Sequence, residues 1–210
     1  MLDLISKGGV ILIIIMATFL VGIIIIIERM LYLRGITRDE QISIDRINNS
    51  LRVGKVQEAL AICDESDSPA SNIMRAGIMN RDRSESTIKE AILSAASLEI
   101  PKLERFLSAL GTIAHIAPLL GLLGTVTGNI KAFDVLSAAG TNAAPEELAK
   151  GIAEALLTTA AGIIVAVPTV IFYNYLVNRV NHIILRLENK VNDVVLMLKG
   201  KIASTNIGVK

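Results

Sequence analysis

Three intervals of this chain hold no Asp, Glu, Lys or Arg and are long enough to cross a bilayer: 8–27 (GGVILIIIMATFLVGIIIII), 106–130 and 155–178. Each reaches the ~20 residues that the hydrocarbon core requires of a spanning helix. Lipid offers no hydrogen-bond partner to the backbone, and these runs are too long for barrel strands, so all three must be helices. Composition agrees, with 52% hydrophobic residues and Ile and Leu gathered in blocks instead of alternating with polar residues; the mean hydropathy is +0.56. The fold class that follows is an all-α integral membrane protein with three transmembrane helices, the second and third extended into the cytoplasm.

The first run reads as a retained helix and not a cleaved leader. Its apolar core is longer than that of a signal peptide, Asp3 offsets Lys7, and no small-residue cleavage site precedes ERMLYLR. Orientation comes from the basic residues: Arg29, Arg34 and Arg38 follow the first helix, Lys102 and Arg105 precede the second, and Arg179, Arg186 and Lys190 follow the third. By the positive-inside rule the N-terminus lies outside and the C-terminus inside. The expected organisation is a short periplasmic N-terminus at 1–7, membrane helices at 8–27, 106–133 and 148–178, and a cytoplasmic helical segment at 28–105. A periplasmic loop follows at 134–147, and a cytoplasmic C-terminal helix and tail at 179–210. A net charge of +1 gives no sign of a nucleic-acid partner, and the single cysteine, Cys63, can form no internal disulfide.

Between Glu28 and Arg105 acidic and basic residues nearly balance, 13 against 12. GKVQEALAICDES and SNIMRAGIMN there have the spacing of short amphipathic helices on either side of the turn-prone SDSPAS. The segment is small and poor in aromatics, and is expected to pack on extensions of the membrane helices. Thr87 with Glu90 forms a capping-box pattern, predicting an uninterrupted helix from there into the second membrane run with a kink at Pro101. Pro145, followed by Glu146 and Glu147, reads as a helix start. Beyond the membrane, Val177, Val180, Ile184, Leu187, Val191, Val194 and Leu198 recur three and four apart, a seam for partner helices that extends the third helix to about Leu198.

At 100° per residue the second membrane helix shows two adjoining stripes. Gly111, His115, Pro118, Leu122, Thr125, Asn129 and Ala132 share one, and Ala114, Ala117, Gly121, Gly124 and Gly128 the other. The small stripe, with Gly124 and Gly128 at GxxxG spacing, suits close helix packing. On the third helix, Glu154, Ala155, Thr158, Thr159, Gly162, Ala166, Thr169 and Tyr173 gather in one arc, opposite Leu156, Leu157, Ile163, Ile164, Val167 and Ile171. One side is dressed for lipid and the other is not. Glu154 is the informative residue, because an acidic group costs ~2.5–3.5 kcal/mol at the centre of a membrane helix and is usually turned toward ion or proton traffic.

Plainer uses stand beside these. Threonines in membrane helices commonly bond back to their own turn, and for Thr158 packing is the commoner use. Glu154 lies near the outer boundary, within reach of headgroups, and His115 reads more readily as a packed, hydrogen-bonded histidine than as a proton relay. Pro118 and Pro168 are candidate kinks. The chain has no Ser, His and Asp set, no paired cysteines and no P-loop, so neither an enzyme nor a cofactor or metal site is expected.

APLLGLLGTVTGNIKAF (Ala117 to Phe133) followed by KGIAEALLTTAAGIIVAVPTVIFYN (Lys150 to Asn174) resembles the proton-channel family that contains ExbB, TolQ and the flagellar stator protein MotA. The resemblance is closest to ExbB, in GLLGTVTG and GIAEALLTTA. It implies an inner-membrane homopentamer whose second and third helices surround a pore holding a dimer of a single-helix ExbD-like or TolR-like subunit. In such complexes proton flow on the partner's membrane aspartate drives rotation. It places the polar pore residues at Thr125, Glu154 and Thr159; the helical stripes add His115, Pro118, Asn129, Thr158 and Tyr173 as further pore-facing candidates and Gly121, Gly124, Gly128 and Gly162 as packing positions. His115 departs from the family's small or hydroxyl residue, and Lys150 stands where a proline is common, adding a cation near Glu154. The implied function is conversion of proton-motive force into work on a TonB-like protein for outer-membrane transport. A TolQ-like constriction motor or a motility or gliding stator shares the same motifs. From other classes, a passive helical scaffold would use the glycine seams without Glu154, and a solute carrier is disfavoured by the lack of internal repeats.

Overall fold

The computed structural model describes residues 9–66, 68–139 and 145–207. Among these residues the chain is helical with no strand: α1 is Gly9–Val53, α2 Val56–Glu65, α3 Pro69–Met79, α4 Glu85–Glu104, α5 Leu107–Ala139 and α6 Pro145–Ile207. Three stretches are long and apolar enough to cross a membrane: Gly9–Ile36 in α1, Glu85–Ala138 across α4 and α5, and Pro145–Asn189 in α6. The architecture is the all-helical one that the charge-free intervals require.

The chain divides into two compact units. One comprises Met1–Arg29 and Phe106–Leu176, the other Met30–Arg105 and Val177–Lys210.

In the first unit α5 and α6 lie against one another along their small residues. Ala114, Ala117, Ala132, Ala155, Val165 and Ala166 are buried, and Ile15 of α1 joins Ala117, Val165 and Ala166 in one cluster. Leu119, Leu122, Leu156, Ile163, Ile164 and Ile171 point outward. Apolar side chains on the outside and small ones on the inside are the reverse of a water-soluble bundle, and suit helices whose surroundings are lipid.

The second unit holds a separate core that includes Leu33, Ile47, Ile73, Ile78, Ile88, Ile92, Leu103 and Ile183. The two expected amphipathic helices are α2 and α3. α1 ends in a Schellman motif: Gly54 takes φ +88°, its N–H bonds Leu51 O at 3.1 Å, and Lys55 N–H bonds Ser50 O at 2.9 Å. Only glycine adopts that left-handed position without strain. α3 starts with Ser68 accepting the Ser71 N–H at 3.2 Å and Pro69 in its first turn.

Two local expectations are corrected. α4 is capped by Ser84, whose hydroxyl accepts the Thr87 N–H at 3.2 Å, so Thr87 lies inside the first turn and the box with Glu90 is not the helix start. Nor does one helix run into the membrane with a kink at Pro101, which stays within α4. The helix stops at Glu104, Arg105 turns to φ −49°, ψ 135°, and Phe106 takes φ +63° before α5 begins. A bulky residue in the left-handed region is strained and needs its surroundings to hold it. Arg29 supplies part of that hold: it is 2% exposed, bonds Glu28 at 2.5 Å, and sets its guanidinium 5.6 Å from the Phe106 ring centre. The residue read as a topology marker is thus buried in the first unit.

α6 begins at Pro145 as expected and runs to Ile207. Of its seam, Val180 and Leu187 are buried, while the side chains of Val191, Val194 and Leu198 lie outside the described residues, as do the N-terminal residues 1–8 and loop residues 140–144.

Candidate functional site

The site begins with the glycines that let α5 and α6 touch. A Cβ on Gly128 would come within 2.7 Å of the Gly151 carbonyl oxygen, and one on Gly162 within 2.7 Å of Ala117 O. Gly121 lies against the backbone of Thr158, Thr159 and Gly162, and Gly124 against the Thr158 side chain. A larger residue at Gly128 or Gly162 would collide with backbone, and one at Gly124 with the Thr158 side chain.

That proximity sets polar groups of opposite helices against each other. The hydroxyls of Thr125 and Thr159 meet in a short hydrogen bond, and both also reach the Gly121 carbonyl oxygen, at 3.3 and 3.2 Å. Thr159 has a further acceptor in Ala155 O at 3.1 Å. One hydroxyl must donate to the other, and either can.

On the preceding turn of α6 stands Glu154. Its carboxylate receives the Lys131 ammonium on both oxygens, at 2.7 and 2.9 Å. Gly9 of α1, at φ +62°, leaves open the space where its Cβ would overlap the Glu154 carboxylate. All three membrane-length helices therefore meet at one acidic side chain.

The other sequence candidates fall in different settings. Thr158 is fully buried against Gly124 and donates to the carbonyls of its own helix, Glu154 O and Ala155 O, both at 3.0 Å. His115 is exposed, and its Nδ1 lies 2.7 Å from Gly111 O. Since a carbonyl only accepts, Nδ1 carries the hydrogen there. Pro118 and Asn129 are exposed on the single chain, and Tyr173 is half-buried with its ring against Gly111. Gly111 and Ala132, read with the polar stripe, belong to the buried seam. Sequence reasoning missed Lys131, seen only as the end of a charge-free interval. The cation on Glu154 is Lys131; Lys150, expected to shift the field near Glu154, is exposed. The available signal was spacing, since Lys131 follows Gly124 and Gly128 at seven and three residues on the seam side. No cluster of three or more His, Cys, Asp or Glu suited to a metal occurs among the described residues.

The model of the MotA/TolQ/ExbB proton channel family matches residues 65–189, which include α5, most of α6 and every site residue on those two helices. The chain belongs to that family. It is accordingly a multi-pass membrane protein and a channel subunit, not an enzyme. A biopolymer transport protein ExbB homolog of Methanothermobacter thermautotrophicus is 35% identical over 189 residues, 89% of this chain and 66% of that protein. The Tol-Pal system protein TolQ of Haemophilus influenzae is 34% identical over 197 residues, 87% and 86% of the two chains. Biopolymer transport protein ExbB of Aquifex aeolicus is 41% identical over 103 residues, 49% of this chain and 68% of its own. ExbB and TolQ relatives stand at similar identity, so family membership is fixed while the load is not.

Proposed function

We propose that this chain is the proton-channel subunit of an inner-membrane motor. It would assemble as a homopentamer around a dimer of an ExbD-like or TolR-like single-helix partner and energise a TonB-like protein. The observation that carries the reading is the Thr125 and Thr159 hydroxyl pair on a glycine seam, with Glu154 on the adjoining turn. A hydroxyl pair with a carboxylate on the adjoining turn, all inside apolar helices, serves a path better than it serves packing, which the glycines already provide.

In this reading the N-terminus is periplasmic and the C-terminus cytoplasmic. Thr125 and Thr159 solvate the proton on its way to or from the partner's membrane aspartate, and Glu154 sets the field at the outer mouth. His115, Pro118, Asn129 and Tyr173 face the pore or a neighbouring subunit, and Thr158 serves mainly to pack Gly124. A unit charge crossing the membrane releases ~2.3 kcal/mol per 100 mV, enough to bias a conformational step but not to break a covalent bond. The energy therefore leaves as motion of the assembly.

The TonB-type load is preferred because GLLGTVTG and GIAEALLTTA read closest to ExbB; the Tol-type load is the second reading, supported by the TolQ relative of nearly full length. The test is intact-mass analysis of the detergent-extracted complex, with every co-purifying subunit identified. A pentamer holding two copies of a small single-helix protein with a membrane aspartate is expected, and that protein's outer domain identifies the load. A homo-oligomer recruiting no such subunit would favour a passive scaffold.

A further inference from the structure

We propose that Lys131 is a positioning residue that gates Glu154: the ion pair is the closed state of the outer mouth, and a proton enters only by displacing the ammonium from the carboxylate. The inference rests on the reading that Glu154 belongs to the proton path.

The geometry distinguishes a gate from a fixed staple. One ammonium bonds both carboxylate oxygens, at 2.7 and 2.9 Å, so a proton that neutralises the carboxylate removes the charge that holds Lys131, and the two cations oppose one another there. The two partners are unequally held. The Glu154 side chain is 12% exposed and enclosed by α1 at Gly9, whereas Lys131 is 57% exposed at the end of a flexible four-carbon stem. The lysine is the member able to leave. Gly9 fits this assignment, since any side chain there would occupy the position of the carboxylate that Lys131 holds.

The step balances simply. A hydronium gives its proton to a Glu154 oxygen and leaves as water; Lys131 remains charged and swings out. When the carboxylic acid gives that proton to a water on the far side, which leaves as hydronium, the carboxylate is restored and the ion pair closes behind it. The pair thereby keeps the path shut between transfers.

The test uses the complex purified with its own subunits, reconstituted in vesicles loaded with a pH-sensitive dye, with a membrane potential imposed. Lys131→Gln is expected to raise proton uptake roughly tenfold, which corresponds to about 1.4 kcal/mol of lost hold on the carboxylate. Lys131→Arg, which keeps the cation, restores the tight state. Adding Glu154→Gln to Lys131→Gln abolishes the leak, an outcome that a general loosening of the helices would not give. Wild-type uptake in Lys131→Gln, with uptake abolished in Glu154→Gln alone, overturns the gate and leaves the path standing. Wild-type uptake in Glu154→Gln removes Glu154 from the path, and the gate with it. If Lys131→Gln does not assemble, Lys131→Ala is measured in its place, a leak supporting the gate and wild-type uptake overturning it.

Discussion

Thr125 and Thr159 meet hydroxyl to hydroxyl across α5 and α6, and both turn to the same acceptor, the Gly121 carbonyl, at 3.3 and 3.2 Å. The arrangement depends on a residue without a side chain, because Gly121 lies against the Thr158 and Thr159 backbone. Polar chemistry and close packing are thus a single feature of this helix pair. Membrane helices gain little from hydrophobic burial against one another, and backbone approach is what lets hydroxyls reach across.

The seam predicts where size is not tolerated. Gly162→Ala places a methyl 2.7 Å from Ala117 O and 3.1 Å from the Gly121 Cα, and backbone cannot swing aside as a side chain can. Overpacking of this kind costs about 1–3 kcal/mol. Gly35→Ala, where nothing lies within 4 Å of the new Cβ, is the control. Thermal denaturation in detergent should show Gly162→Ala lowered and Gly35→Ala at or slightly above wild type, since alanine favours a helix over glycine.

Cys63 should be chemically silent in the folded protein. It is buried, and burial with help from Asp64 pushes its thiol up to about 11 against the opposing pull of Arg75. At pH 8 roughly one thiol in a thousand is then ionised, against about one in four for a free cysteine. Maleimide labelling should be slow in the native protein and fast after denaturation; equal rates would contradict the burial.

Glu40 predicts a pH dependence outside the membrane segments. It is buried, and one carboxylate oxygen, Oε1, has no hydrogen-bond partner. Desolvation raises its pKa from the ordinary 4.5, outweighing Arg186 and the Ala70 backbone N–H, which lower it. Between the ordinary and the raised value the folded state binds more protons than the unfolded, so this group's contribution to stability falls as pH rises through that window. Glu40→Gln should therefore raise the thermal midpoint at neutral pH, with the gain fading as pH drops below the ordinary carboxylate value. A loss of stability at neutral pH would show the Arg186 attraction to dominate.

Much of this architecture is legible in the sequence because hydrocarbon imposes strict terms. A charge-free run of bilayer length has one structural solution, and a stripe of glycine and alanine at helical spacing marks where two helices can touch. The Thr125 and Thr159 contact is different in kind: periodicity places each on a face but cannot say which turn of one helix opposes which turn of the other. The same gap hid Lys131, whose pairing with Glu154 depends on the register of α5 against α6. The break at Arg105 and Phe106 left no signal either, since it carries neither glycine nor proline and is held by contacts such as that of Arg29, far away in the chain. Pro101 lies in the last turn of α4, ahead of that break. At Ser84 and Thr87 two capping patterns overlap, and the chain uses the earlier one.

The central claim is that protons cross beside the Thr125 and Thr159 hydroxyls. The direct measurement is proton uptake, under an imposed membrane potential, by vesicles carrying the purified complex with Thr159→Val, which keeps the shape and removes the hydroxyl. The account predicts an intact assembly with uptake lowered roughly tenfold, the effect of about 1.4 kcal/mol on a barrier, and recovery in Thr159→Ser. Unchanged uptake in Thr159→Val, with the complex intact, would contradict it and leave the threonine pair as packing alone.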